Sequence, residues 1–245
     1  MKFFHHINKK QMSEAIILAG GFGTRLREVV SDVPKPMAPI CGKPFLEYLL
    51  QGLSNQEINH FILSTGYMGN IIREYFGDKF NGVDITYSEE EFPLGTGGAT
   101  KLALNYVEQD HAYIFNGDTY TEPNIMMMER LWKSEASTVV MGVHVENTYR
   151  YGSLNIIEES NTIVGFNEKG ANRPGIINAG CYAIGKNSLD DFECGLQFSL
   201  ENDYFPSLIS GGKLKVCISH GHFIDIGIPE DYHKAINFFS NSFRF

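Results

Sequence analysis

The residues best suited to chemistry are concentrated in positions 15–44, AIILAGGFGTRLREVVSDVPKPMAPICGKP. The apolar run 15–18 reads as a buried strand, and Gly20, Gly21 and Gly23 follow it. Glycine at a strand end lets the backbone take positive φ and approach a ligand closely. Successive N–H groups in such a turn can form an anion-binding nest. Arg25 adds a permanently charged guanidinium whose fork matches phosphate oxygens. Lys35 stands between Pro34 and Pro36, which predicts an extended, stiff backbone around a second cation. Together these are the parts of a polyphosphate site; read alone, they are also a tight turn with two surface cations. Further along, Asn116-Gly117-Asp118 follows the apolar residues 112–115. An acid at the carboxyl end of a parallel strand lies in the crevice where ligands bind, although Asn-Gly-Asp is also an ordinary turn.

Two commoner glycine motifs do not match. A P-loop ends in Gly-Lys-Ser or Gly-Lys-Thr, whereas this loop ends in Gly23-Thr24-Arg25. A dinucleotide fingerprint needs a third glycine opening a helix and an acid closing the next strand; here Leu26 and Ser64-Thr65-Gly66 occupy those places.

The full string G-G-x-G-T-R-L followed by P-K-P resembles the signature of the sugar-phosphate nucleotidyltransferases. LGTGGA (94–99), NGD (116–118), EK (168–169), NAG (178–180) and DIG (225–227) follow in the family's order, so the resemblance covers nearly the whole chain. It implies a nucleotide-diphospho-sugar transferase fold that joins a nucleoside triphosphate to a sugar 1-phosphate and releases pyrophosphate. Within the family, PKPMAPICGKPFLEYLL and FPLGTGGA are similar to heptose 1-phosphate guanylyltransferases. That similarity implies GTP, D-glycero-D-manno-heptose 1-phosphate and a product used in surface glycan synthesis.

By the same resemblance, Leu18, Ala19, Gly20, Gly21, Gly23, Thr24, Arg25, Lys35 and Asp118 hold the nucleotide. Gly95, Thr96, Gly97 and Gly98 form a loop against the base, their backbone groups reading its edge. Gly152, Glu168, Lys169, Asn178, Ala179 and Gly180 face the sugar and its phosphate. Asp118 and Asp225 are the implied ligands of Mg²⁺, hard oxygens that can share the ion with phosphates. Arg25, Lys35, Asp118 and Asp225 are the implied catalytic set. The sequence departs from many relatives at Ile228, where they carry Thr before Pro229.

Several of these residues have a plainer reading beside the functional one. Glu89, Glu90 and Glu91 precede the glycines; a carboxylate there can accept from guanine N1–H and its 2-amino group, and three consecutive acids also read as a solvated loop. Lys169 alone reads as a surface lysine, but its pairing with Glu168 at a strand end, where the family has the same pair, favours function. Asn178 offers a donor and an acceptor to sugar hydroxyls, with Ala179 and Gly180 leaving room for a ring.

The elements that must position these residues follow from periodicity. Strands are expected over 60–65, 83–87, 112–115, 176–184 and 214–219, and helices over 45–55, 70–76, 99–107, 125–134, 198–210 and 230–239. Ile71, Ile72, Tyr75 and Phe76 form the expected inner face of the second helix, and Met126-Met127-Met128 reads as core packing. The alternation predicts an α/β, Rossmann-like, doubly wound and mostly parallel sheet, with the ligand at the carboxyl ends of its strands. Residues 138–145, 152–158 and 162–169 read as an inserted antiparallel section, sugar-binding by resemblance. Residues 1–12 read as an N-terminal extension and 13–245 as a single nucleotidyltransferase domain.

Composition narrows the remaining classes. Lys and Arg number 20 against 29 Asp and Glu, a formal charge of −9, which argues against a broad nucleic-acid footprint. Cys41, Cys181, Cys194 and Cys217 form no C-x-x-C pair, which argues against zinc and disulfide frameworks and points to reduced thiols in the cytoplasm. No run of about twenty apolar residues is present to cross a bilayer, and MKFFHHINKKQ lacks the apolar core of a signal peptide. The expected partners are an NTP and a sugar 1-phosphate, with neither nucleic acid nor membrane, and self-association is left open. The alternatives are the same chemistry with another base or sugar, as in uridylyl- or cytidylyltransferases, and a non-catalytic nucleotide-sugar-binding regulator. Arg25, Lys35, Asp118 and Asp225 argue against the regulator.

Overall fold

The computed structural model describes residues 13–242 apart from Thr24, Arg25, Arg27 and Glu28. The roles expected of Thr24 and Arg25, and the extension over 1–12, lie outside the described residues. β1 (Ser13–Leu18) runs into the glycine turn, and a 3₁₀ turn (Lys35–Met37) leads to a small hairpin of β2 (Pro39–Ile40) and β3 (Lys43–Pro44). α1 (Phe45–Ser54) follows, with Pro44 as its extended N-cap. Leu46, Leu49, Leu50 and Leu53 are buried along it, the spacing of one helical face. β4 (Ile58–Thr65), α2 (Gly69–Phe76), β5 (Lys79–Phe80) and β6 (Val83–Glu89) come next. They are followed by α3 (Gly95–Leu104), β7 (His111–Asn116), β8 (Thr119–Thr121) and α4 (Ile125–Glu135). The second half holds β9 (Thr138–Val145), β10 (Ser153–Ile157), β11 (Thr162–Asn167) and β12 (Gly175–Gly185). A π-helical turn (Leu200–Tyr204) then runs into α5 (Phe205–Ile209), and β13 (Leu214–Ser219), β14 (Phe223–Asp225) and α6 (Pro229–Ser242) complete the described chain.

Ten strands form one sheet in the order β10-β11-β13-β9-β12-β7-β1-β4-β6-β5. Only β5, β11 and β12 run against the rest, so the sheet is mostly parallel, as expected. From β1 the chain steps outward through β4 to β6, then returns to place β7 on β1's other side. The strand order therefore reverses between β1 and β7, and ligands of open α/β sheets bind beyond the carboxyl ends at that reversal. Side chains of β1 alternate between two cores: Ala15 and Ile17 face α1, α2 and α4, whereas Ile16 faces α3 and α5. A third cluster packs Phe239 and Tyr232 of α6 against Phe45, Tyr48 and Tyr120, anchoring the chain end that follows Asp225.

Several local expectations are corrected. Lys35 is not extended: Pro34 is, but Lys35 opens the 3₁₀ turn, in which Met37 N–H donates to Pro34 O and Ala38 N–H to Lys35 O at 2.7 and 3.0 Å. Tyr75 is exposed and its hydroxyl donates to Glu47 at 2.6 Å. Of the methionine run only Met128 reaches the core, while Met126 is 83% exposed, because successive helical residues point about 100° apart. The expected helix over 198–210 starts as a wider turn, with Tyr204 N–H donating to Ser199 O. The antiparallel section is present in β10 and β11, which pair antiparallel; only β9 departs from it on one side. β9 pairs in parallel with β13 and joins the main sheet through β12.

The largest correction concerns Gly95–98, which open α3 instead of forming a loop. Phe198 decides this: its carbonyl accepts from Gly97 N–H at 2.9 Å and Gly98 N–H at 3.4 Å, satisfying donors that a helix start otherwise leaves unpaired. Gly95 has φ +70° and lies where a Cβ would come 2.5 Å from that same carbonyl oxygen. A methyl on Gly97 would overlap the ring of Phe198, which is itself stacked on Phe192 at 4.0 Å. Gly97→Ala gains about 1 kcal/mol of helix propensity but overpacks a filled core, typically a loss of about 1–3 kcal/mol. The thermal midpoint is expected to fall; a rise would show that the Phe198 ring yields freely.

Candidate active site

A cleft of about 390 Å³ opens at the carboxyl ends of β1, β6 and β7. β1 contributes Leu18, Ala19 and the turn Gly20–23, while β7 contributes Asn116 and then Asp118. Glu90, after β6, Gly95 and Thr96, at the start of α3, and Lys35 close the remaining walls. Gly23 is in the left-handed region at φ +58°, and a Cβ there would press on the Lys35 side chain at 2.8 Å. The glycine turn and the lysine thus occupy adjoining space.

Asp225 is not itself in the cleft lining, where Gly227 stands, but a second, two-stranded sheet sets it beside Asp118. β14 pairs antiparallel with β8, setting Asp225 opposite Thr119, and Ile226 N–H donates to Asp118 O at 3.0 Å. The two acids, far apart in the chain, become neighbours. Lys35 Nζ donates to Asp118 Oδ2, and its side chain is only 10% exposed. Gly227 N–H donates to Asp225 Oδ1 at 2.6 Å, and Arg150 Nη2 lies 3.7 Å from Asp225 Oδ2. Burial, and then the Asp118 charge, push the Asp225 carboxyl above its usual range, against the pull of Lys35, Gly227 N–H and Arg150. Two neighbouring carboxylates, with that of Asp225 raised by burial and by the charge of Asp118, are a natural seat for a cation. Among the described residues no group of three or more His, Cys, Asp or Glu could hold a metal. Mg²⁺ still suits this donor set, because it is commonly bound by one or two carboxylates plus phosphate oxygens and water.

Other expected residues are distributed unevenly. Gly97 and Gly98 do not line the cleft, since their N–H groups are taken by Phe198. Glu90 is the acid of its triplet that enters the cleft, while Glu89 pairs with Arg73 at 2.5 Å and Glu91 is exposed. Glu90 Oε2 accepts from Leu94 N–H at 2.9 Å and Oε1 from the Ser64 hydroxyl at 3.4 Å. Burial raises its carboxyl, with those two donors opposing. On the other side, Gly152 has φ +72° and packs against Asn167 O. Tyr151, next to it, meets the Phe223 ring at 5.6 Å, close to Asp225. Glu168 and Lys169 stay exposed on the turn after β11, outside the cleft lining.

The room for a ring expected at Ala179 and Gly180 is taken up by packing, while Asn178 itself stays partly exposed. Ala179 is 1% exposed within the core, and a Cβ on Gly180 (φ +67°) would meet Asn116 Nδ2 at 2.6 Å. The bulge between Asn178 and Tyr182 therefore abuts the cleft wall through Asn116. Sequence reasoning passed over Asn116, Arg150, Tyr182 and Glu201. Only Asn116 carried a signal, as the first residue of the Asn-Gly-Asp turn. No helix among the described residues is long and apolar enough to cross a membrane.

A glycine turn, a lysine and two facing acids at a switch point define a site for phosphorylated ligands. The chain belongs to the nucleotidyl transferase family, whose match spans residues 14–242. It is 41% identical to D-glycero-alpha-D-manno-heptose 1-phosphate guanylyltransferase of Campylobacter jejuni subsp. jejuni, over 91% of this chain and 99% of that protein. It is 42% identical to the enzyme of the same name from Aneurinibacillus thermoaerophilus, over 91% and 96%. The crystal structure of HddC from Yersinia pseudotuberculosis complexed with GMP-PN superposes with a TM-score of 0.81 at 40% identity, over 93% of this chain and 100% of that one.

Proposed function

We propose that this protein transfers a guanylyl group from GTP to D-glycero-D-manno-heptose 1-phosphate, releasing pyrophosphate. The observation that carries the transfer reading is the convergence of Lys35 and Asp118 beside the glycine turn, with Asp225 set next to Asp118 by the pairing of β14 with β8. The choice of guanine and heptose is supported by near full-length similarity to two enzymes named for that activity. The product is proposed to feed capsule or lipopolysaccharide synthesis from the cytoplasm.

A sugar 1-phosphate is already anionic near neutral pH, so its oxygen needs no strong base. That oxygen forms a bond to the α-phosphorus as the α–β anhydride bond breaks, and the electron pair leaves on pyrophosphate. The obstacle is the meeting of two polyanions, so the protein's work is positioning and charge neutralisation. In this reading the backbone of the 20–23 turn and Arg25 hold the triphosphate. Lys35 faces the charge at the α-phosphate and leaving group, and Lys169 draws in the acceptor phosphate. Asp118 and Asp225 would hold Mg²⁺, which would supply Lewis-acid charge to phosphate oxygens.

Glu90 gives the guanine assignment a chemical basis. Guanine presents two adjacent donors, N1–H and the 2-amino group, and a carboxylate is an acceptor for both. Uracil and thymine would oppose carbonyls to that carboxylate, and each unpaired buried polar group costs about 1–3 kcal/mol. GTP is therefore expected to exceed UTP, CTP and dTTP in kcat/KM, and Glu90→Gln to erode the GTP advantage about tenfold or more. Pyrophosphate release measured for each NTP with saturating heptose 1-phosphate decides the point. Equal use of UTP, CTP or dTTP would remove the guanine assignment and leave nucleotidyl transfer in place.

A further inference from the structure

Behind the cleft runs a hydrogen-bonded chain that links α3 to β12 through one carboxylate. Glu201 Oε2 accepts from the Thr96 hydroxyl at 2.7 Å and the Ser199 hydroxyl at 2.8 Å. Glu201 Oε1 accepts from the Tyr182 hydroxyl at 2.9 Å. The Tyr182 oxygen in turn accepts from Asn178 Nδ2 at 3.0 Å, and Asn178 Oδ1 accepts from Gly180 N–H at 2.9 Å. Thr96 lines the cleft, and its hydroxyl oxygen also accepts from Leu200 N–H at 2.9 Å.

Every proton in this chain points toward Glu201, from both ends. The Leu200 N–H fixes Thr96 as a donor toward Glu201, and the Gly180 N–H fixes the orientation of the Asn178 amide. Asn178 then requires Tyr182 to accept from it, leaving the phenolic hydrogen for Glu201. Burial, and then the Glu201 charge, hold the Tyr182 phenol well above its usual range, so it remains a donor. An acceptor facing three hydroxyl donors must be a carboxylate, because an amide would turn two hydrogens toward one of them.

We propose that Glu201 is a positioning residue that couples the nucleotide cleft to the acceptor-sugar section. One of its oxygens sets Thr96, and the other sets Asn178 through Tyr182. The inference rests on the reading of Thr96 and Asn178 as substrate-facing residues. Its consequence is that nucleotide and acceptor affinities share a support that neither substrate touches.

The test separates the two limbs. Tyr182→Phe removes only the Asn178 limb; it is expected to raise the acceptor KM about tenfold, the scale of a buried polar group losing its partner. The dissociation constant for GTP, titrated calorimetrically without acceptor, should stay within about twofold of wild type. Glu201→Gln disturbs both limbs and is expected to weaken GTP binding and raise the acceptor KM, each by about tenfold. A merely structural role would lower the thermal midpoint and the active fraction, scaling kcat while leaving both affinities unchanged. An unshifted acceptor KM in Tyr182→Phe overturns the coupling, and so does unshifted GTP binding in a folded Glu201→Gln. If Glu201→Gln does not fold, Tyr182→Phe alone decides. Wild-type protein inactive with every pair of NTP and sugar 1-phosphate would instead strike the transferase reading. GTP titration of wild type and Glu201→Gln would then still judge the Thr96 limb, and an unshifted value would overturn it.

Discussion

Asp118→Asn and Asp225→Asn are each expected to lower kcat by about a thousandfold, the upper scale for losing a preorganised electrostatic group. The warrant is the pairing of β14 with β8, which brings two carboxylates from distant parts of the chain to one edge of the cleft. An asparagine keeps the shape of the side chain and, at 225, an oxygen to accept from Gly227 N–H. It supplies no negative charge to a cation. Because burial and Asp118 already disfavour the Asp225 carboxylate, Asp225→Asn should lose activity with an unchanged or higher thermal midpoint. Chelation with EDTA should have the same effect as either substitution, reversed by Mg²⁺. Turnover near wild type in either variant, or in the chelated protein, would rule out the shared-cation site.

Lys35→Ala is expected to lower kcat by about a hundredfold or more, the cost of removing one charge aimed at the reacting phosphates. Lys35 is well placed for that role. Its stem lies against Gly23, its ammonium reaches Asp118, and the 3₁₀ turn fixes its backbone on the cleft wall. The pairing with Asp118 also neutralises part of the charge that an incoming triphosphate would meet. Lys35→Arg is expected to recover only part of the loss, since a planar guanidinium and a compact ammonium do not fill the same space. Steady-state kinetics at saturating substrates, with circular dichroism to verify folding, tests both variants. A Lys35→Ala protein within about twofold of wild-type kcat would remove Lys35 from the electrostatic scheme.

By itself the sequence determined the strand–helix alternation, the glycine turn after β1 and the two prolines around Lys35. It also placed Asp118 just beyond a buried strand. These are local properties, since apolar period, turn chemistry and the stiffness of proline act within a few residues. It carried the family resemblance too, because those motifs keep their order along the chain. The tertiary structure decided what distant segments do to one another. Gly97 and Gly98 looked available to a ligand until Phe198 arrived to take their N–H groups. Room at Gly180 vanished when Asn116 packed against it. One acid of three entered the cleft because Ser64 and Leu94 N–H hold Glu90 inward, while Arg73 holds Glu89 outside. Asp225 became a neighbour of Asp118, and Glu201 a junction between α3 and β12, only through pairing and packing across the fold. A donor or acceptor is free or taken according to what folds onto it, and that depends on residues far away in the chain.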